Sequence, residues 1–295
     1  MRSSVRLLAV LVGLALARSA RADDDLIFPE LPQSKPPYVE PGHWTLEPAR
    51  PFMSVRADAG YLYLKPRVSF GYGKPFAYWG GFDVLPYVTP DAAGGYMGLR
   101  LQLDWFELRG GVRGVHSFEH EYLTQKPSYT IVDLQEYTDR PSNYIDFEFE
   151  AAASIPCGPG NIVALAGASY IELAPANTNV FDETLHVIVN PPAVYRQRLG
   201  YSLKLGREHV ARVGVLGEVI ELPDRNAQVV RAGFIGSFDI DDHFQLVATV
   251  LIPVATPDSI GLYGADYSEL GIRYRWSTGH KEHAAPHPEI PGSAP

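Results

Sequence analysis

The chain has 295 residues, 46% of them hydrophobic and 20% charged, with a formal net charge of −9 and one cysteine. An acidic surplus of this size argues against a nucleic-acid partner, because phosphate binding needs a basic face. A lone thiol excludes an internal disulfide framework, so a large core or a closed sheet must hold the fold together.

The N-terminus reads MRSSVRLLAVLVGLALARSARADDD. Arg2 and Arg6 precede an apolar run from Leu7 to Ala17, and Ala20-Arg21-Ala22 places small residues before Asp23. This is the layout of a secretory signal peptide, so residues 1–22 are expected to be removed on export. No later run reaches the ~18 apolar residues of a spanning helix, so any membrane crossing must use strands. Residues 23–52 hold Pro29, Pro32, Pro36, Pro37, Pro41, Pro48 and Pro51, a density that reads as a periplasmic linker. Residues 278–295 read as a flexible tail.

Between these segments, 53–277 shows a period of two, the side-chain alternation of a strand. Ten segments of ~11 residues follow one another, the length a tilted strand needs to cross a bilayer. In 53–65, Val55, Ala57, Ala59, Tyr61 and Tyr63 alternate with Arg56, Asp58 and Gly60. In 93–103, Met97, Leu99, Leu101 and Leu103 alternate with Gly98, Arg100 and Gln102. In 106–116, Phe106, Leu108 and Val112 oppose Glu107, Arg109 and Arg113, and in 143–154, Ile145, Phe147 and Phe149 oppose Asp146, Glu148 and Glu150. Segment 161–172 is apolar on both parities, so its facing is open. In 194–206, Leu199, Tyr201 and Leu203 oppose Arg198, Ser202 and Lys204; in 209–221, Val213, Val215 and Val219 oppose Arg212 and Glu218. In 228–239, Phe234 and Phe238 oppose Arg231, and in 243–253, Phe244, Leu246 and Val250 oppose Gln245 and Thr249. The last segment, 267–277, sets Leu270, Ile272, Tyr274 and Trp276 against Glu269, Arg273 and Arg275.

Away from the segment ends, no apolar parity carries a charge. The links alternate in length: 66–92, 117–142, 174–193 and 254–265 are long, while 104–105, 155–160, 207–208 and 240–242 are short; 222–227 breaks the rule. Tight turns at one end and long loops at the other are expected of a transmembrane barrel. YTIVDL (129–134) and TLHVIVN (184–190) have β propensity and read as hairpins projecting beyond the membrane, or as a further pair of spanning strands. The fold expected is therefore all-β: a closed antiparallel up-and-down transmembrane barrel of about ten strands, with twelve as the alternative count.

On this rhythm, 53–277 resembles bacterial outer-membrane β-barrel proteins as a class. Leu270, Ile272, Tyr274 and Trp276 look like the insertion signal read by the barrel-assembly machinery, although 18 residues follow Ser277 here. The resemblance implies a monomer in the outer membrane, surrounded by lipid. The charged parity then faces the lumen: Arg56, Asp58, Arg100, Glu107, Arg109, Arg113, Asp146, Glu148, Glu150, Arg198, Lys204, Arg212, Glu218, Arg231, Glu269, Arg273 and Arg275. Charges crowded into a narrow interior must pair, because an isolated buried charge is costly. An ion-paired barrel with a structural or adhesive role, or a narrow pore for small solutes, is the function expected.

An outer-rim membrane hydrolase and a soluble secreted β-sandwich binding module are the alternatives. HSFEH, His116 to His120, has the spacing of one zinc-peptidase class, but that chemistry needs a helix and the stretch leaves a strand for a loop. Asp241-Asp242-His243 could activate water, yet Asp is ordinary in a hairpin turn. His280, His283 and His287 read as solvated tail residues, and Cys157, in IPCGPG, as an unpaired turn thiol. No catalytic residue, metal or cofactor is expected.

Overall fold

The computed structural model describes residues 44, 48–60, 62–135, 141–205, 211–267 and 270–279. Twelve strands close into an antiparallel barrel: β1 (Arg50–Gly60), β2 (Leu64–Gly73), β3 (Trp79–Val88), β4 (Ala92–Gln102), β5 (Phe106–Glu121), β7 (Pro141–Cys157), β8 (Gly160–Glu172), β11 (Ala193–Leu205), β12 (Ala211–Leu222), β13 (Ala227–Asp239), β14 (Phe244–Ala255) and β15 (Gly271–Ser277). Each pairs with its neighbours in chain order, and β15 closes the cylinder on β1 with Ser54 opposite Ser277 and Gly60 opposite Gly271. Three further strands, β6 (Leu123–Thr124), β9 (Thr178–Asp182) and β10 (Val187–Val189), form a separate small sheet in the order β10-β9-β6.

Twelve is the larger of the two expected counts, and the additional pair lies where a long loop was expected. β2 and β3 occupy most of 66–92, and the segment expected to run unbroken over 53–65 is divided between β1, which ends at Gly60, and β2, which begins at Leu64. The first strand also begins at Arg50, inside the expected linker. The signal peptide, most of the linker and the tail lie outside the described residues. YTIVDL and TLHVIVN are not spanning strands. Ile131–Leu134 form a one-turn helix, α1, and Val187–Val189 belong to the small sheet.

The outward parity is apolar along most of the wall, with Glu172, Gln197, Glu221 and Gln228 toward the long-loop end. Phe70, Phe82, Leu99, Phe147, Leu199, Val215, Phe234, Leu246 and Ile272 are all exposed on it. β8, whose facing was open, turns Ile162 and Tyr170 outward and buries Ile171. At the end with short turns, Tyr72, Trp105, Phe238, Phe244 and Trp276 are exposed as well, the character of an interfacial aromatic girdle. Large apolar side chains can all face outward only if that surround is itself apolar. Replacing Phe234, midway along β13, with arginine is therefore expected to cost about 2–4 kcal/mol of barrel stability in bilayers. Equilibrium folding into phospholipid vesicles measures it, and a loss within the scatter of Phe234→Leu would contradict a lipid-facing position.

Inward positions alternate charges with small residues. Gly98 faces Gly111 across β4 and β5, and a Cβ at Gly98 would stand 2.3 Å from the Tyr96 hydroxyl. The glycines leave a slot for the Tyr96 ring, which lies under the guanidinium groups of Arg109 and Arg113. Side chains of this size fill a narrow cylinder only where neighbours give up theirs.

Candidate functional site

The ladder registers bring opposite charges together on the inner wall. Glu218 of β12 stands opposite Arg198 on β11 and opposite Arg231 on β13. Its carboxylate accepts from Arg196 Nε at 2.7 Å, Arg198 Nε at 2.5 Å and Arg231 Nη1 at 2.9 Å. Asp58 stands opposite Arg273 and accepts from it at 2.7 Å, while also holding Arg56. Arg100 bridges Asp83 at 2.5 Å and Glu107. Arg109 pairs with Glu150 at 3.0 Å, Arg113 with Glu148, and Arg275 with Asp239 at 3.2 Å. Asp146 is buried opposite Arg113 in the ladder. Lys204 and Arg212 stand opposite each other at the short-turn end, without an ion pair among the described residues. Glu269 lies outside the described residues.

Sequence reasoning missed Arg67 and Asp83, because their strands were taken for the 66–92 loop, and Lys65, which closed the segment expected over 53–65 but belongs to β2. It also passed over Arg196, whose parity matches Arg198, and Asp266, which lies in the β14–β15 loop yet pairs with Arg198. No period marks a loop residue that folds inward.

The β8–β11 loop supplies most of the small sheet, which packs inside the barrel at the long-loop end. Val180, Val187 and Val189 pack against Tyr87, Val115, Tyr144, Ile171, Ile220, Leu222 and Val229 of the barrel strands. The other face of the sheet, with Phe181 and Ile188, packs against Leu123, Tyr129, Leu134 and Ile260. Polar clamps fix it. Arg231 Nη2 donates to the carbonyls of Leu185 at 2.7 Å and His186 at 2.8 Å. Glu183 Oε1 accepts from Ser117 Oγ at 2.6 Å and lies 2.9 Å from His120 Nδ1. Arg225 Nη1 donates to the Ile188 carbonyl and, at 2.7 Å, to Asp258, with its guanidinium over the Tyr129 ring. Beside this sheet, Lys126 and the Thr130 N-cap hold the Asp133 carboxyl of α1 down to about 2.

The small sheet leaves part of the mouth free. A cavity of about 700 Å³ runs inward between the β1–β2 turn (Leu62, Tyr63), the β3–β4 turn (Thr89, Pro90, Asp91) and the β14–β15 loop (Leu262, Tyr263, Tyr267). Its wall reaches Arg56, Asp58, Arg100, Glu107, Glu150 and Arg198. Phe52, Trp79, Gln102, Asp239 and Arg275, nearer the short-turn end, are not in that wall. Phe52 and Trp79 are both buried there, their rings 5.4 Å apart, and Trp79 donates to Gln102. Among the described residues the cavity forms a vestibule at the long-loop end, with ion pairs and aromatic rings between it and the short-turn end.

An apolar outer face, an aromatic girdle and a charged inner face are now placed on one closed cylinder. The architecture is a closed twelve-stranded antiparallel β-barrel with the outer face of a membrane-spanning barrel. No protein-family model matches the chain, and no curated protein does either. Among solved structures, this barrel is similar to the NanC porin, at 8% identity and a TM-score of 0.36, over 77% of this chain and 98% of that one. It is similar to another porin at 13% identity and a TM-score of 0.32, over 72% of this chain and 62% of that one.

The other candidate chemistry does not assemble. His116 and His120 sit on a strand end, where His116 meets Asn143 and His120 turns into the buried contact with Glu183. Asp241 Oδ1 accepts from the backbone N–H groups of His243 and Phe244, which makes it a turn-former in the barrel's β13–β14 link. Among the described residues no group of three or more His, Cys, Asp or Glu could hold a metal ion. Cys157 is exposed in the β7–β8 turn.

Proposed function

We propose that this barrel is a narrow pore for small solutes, held closed by its own interior. The observation that carries the reading is the vestibule: about 700 Å³ of space, open among the long loops and stopped by the Arg100–Glu107 and Arg56–Asp58 pairs. A barrel that served only to anchor loops has no need of a solvent-accessible chamber lined by eight Lys and Arg against six Asp and Glu. The cationic excess favours anions in the chamber.

Planar-bilayer recording of the full-length protein tests this. The expected record is a small current in brief openings, with a reversal potential shifted toward the anion in a salt gradient. A large steady current would overturn the closed state, and a cation-directed reversal potential would overturn the selectivity. The absence of current in both the native protein and the loop-excised variant described below would leave the barrel a structural element.

A further inference from the structure

Three guanidinium nitrogens bordering the vestibule have no hydrogen-bond acceptor: Arg67 Nε, Arg100 Nη2 and Arg109 Nε, the last lying 3.0 Å from the Glu150 carboxylate as an ion pair. Arg67 of β2 points into the cavity, directly opposite Arg56 of β1, and Arg56 in turn stands opposite Arg275 of β15. Three arginines in one cross-strand row repel one another unless something negative lies between them. Arg56 has Asp58 and Arg275 has Asp239. Arg67 makes no hydrogen bond or ion pair with a carboxylate among the described residues, although Asp83 and Glu107 attract it at longer range, and its Nε is sealed from solvent without an acceptor. Arg100 reaches the same cavity with its side chain only 3% exposed. Two of its nitrogens are engaged by Asp83 and Glu107, while Nη2 has no acceptor. Asp83 Oδ1 also lacks a donor, but Asp83 is not in the cavity wall.

Buried guanidinium N–H groups without acceptors are costly, and those of Arg67 and Arg100, bordering one accessible chamber, make a receptor for oxygen anions. We infer that Arg67 and Arg100 form an anion-binding site in the vestibule, which takes the carboxylate or phosphate group of a small acidic solute. This rests on the solute-pore reading and specifies its substrate class. The forked donors suit either acid. The uncharged part of the solute lies against Tyr63 and Leu85, which line the same chamber.

The test is calorimetric titration of the full-length protein in detergent with glucuronate, glucose 6-phosphate and glucose. The three match in size, differ in their charged group, and do not partition into micelles. Binding of one or both anions without glucose is expected, and the tighter of the two identifies the acid. Arg67→Gln is expected to weaken that binding on the order of tenfold to a hundredfold, the effect of losing a charged hydrogen bond. Arg212→Gln, outside the cavity wall, is expected to leave it unchanged. Glucose binding as tightly as the anions, no binding of any of the three, or native-like binding by Arg67→Gln would each overturn the site. Unfolding in the absence of anion provides a second reading. Arg67→Gln is expected to resist denaturant at least as well as the native chain, because it relieves a like-charge contact; clear destabilisation would make Arg67 a structural residue and overturn the proposal. Titration reports binding whether or not the barrel conducts, so its outcome is separable from the bilayer record.

Discussion

Replacing Glu218 with alanine is expected to destabilise the barrel by about 3–5 kcal/mol, the range for breaking a buried ion pair by removing one partner. Glu218 is 1% exposed and accepts from three arginines on the two strands that flank it, Arg196 and Arg198 of β11 and Arg231 of β13. Without it, Arg231, itself 1% exposed, keeps only the Leu185 and His186 carbonyls. Arg198 keeps Asp266, and Arg196 lies 3.7 Å from the same carboxylate. Asp266 would then carry most of the load of two cations, with Glu150 only 4.0 Å from Arg196 as a further carboxylate. The loss should appear both in the denaturant midpoint in lipid vesicles and as faster proteolysis of the β8–β11 loop, because Arg231 ties that loop to the wall. Glu218→Gln retains an acceptor and should fall between. A Glu218→Ala midpoint within about 1 kcal/mol of native would mean that the cluster is no more than a surface-type network.

The second large effect concerns conduction. Excising residues 175–190 and joining the ends with a short Gly-Ser turn should convert brief openings into a sustained current. Those residues include β9 and β10, which fill the mouth against Tyr87, Val115, Tyr144, Ile220 and Val229. Tyr170 and Ala193 are already ladder partners at the strand ends, so a tight turn can connect them without moving the wall. The variant exposes apolar wall and frees Arg231 and Arg225 from their carbonyl partners, so some loss of stability accompanies it. Current that stays at the native level in a folded variant would place the constriction wholly at the floor, among Arg100, Glu107, Phe52 and Trp79.

These outcomes show which features the sequence exposes. The outward rows were legible because lipid imposes a strict rule: Leu99, Phe147, Phe234 and Ile272 each fall on a parity free of charge. β2 and β3 were illegible because Gly71, Gly73, Gly80, Gly81, Pro66 and Pro86 imitate turn chemistry. Two of those glycines have another purpose. Gly71 and Gly81 face each other in the ladder, and a Cβ on Gly71 would stand 2.8 Å from the Trp79 ring. Here glycine makes room for an aromatic ring on the inner face, and the letter is the same as for a turn.

The small sheet was misplaced for a different reason. Val187-Ile188-Val189 is apolar on both parities, the mark of a strand covered on both faces. Such a strand cannot project into water, and it lies instead between the barrel wall and the cluster around Tyr129 and Ile260. Of the site, the ion-paired character of the lumen could be read from parity. The unpaired Arg67 could not, since its strand had been taken for a loop.

The meeting of β1 and β15 bears on assembly. Ser54 is matched with Ser277, Met53 N–H donates to Thr278 Oγ1, and Arg50 reaches the Thr278 carbonyl. Contacts spanning more than two hundred residues of chain carry a heavy loop-closure penalty and form late. Until they form, β1 and β15 are bare edges that can template pairing with another molecule. A chain cut short before Gly271 would thus retain eleven of its barrel strands and be prone to intermolecular sheet growth, which makes the final seven-residue strand the element that separates a solitary cylinder from an aggregate.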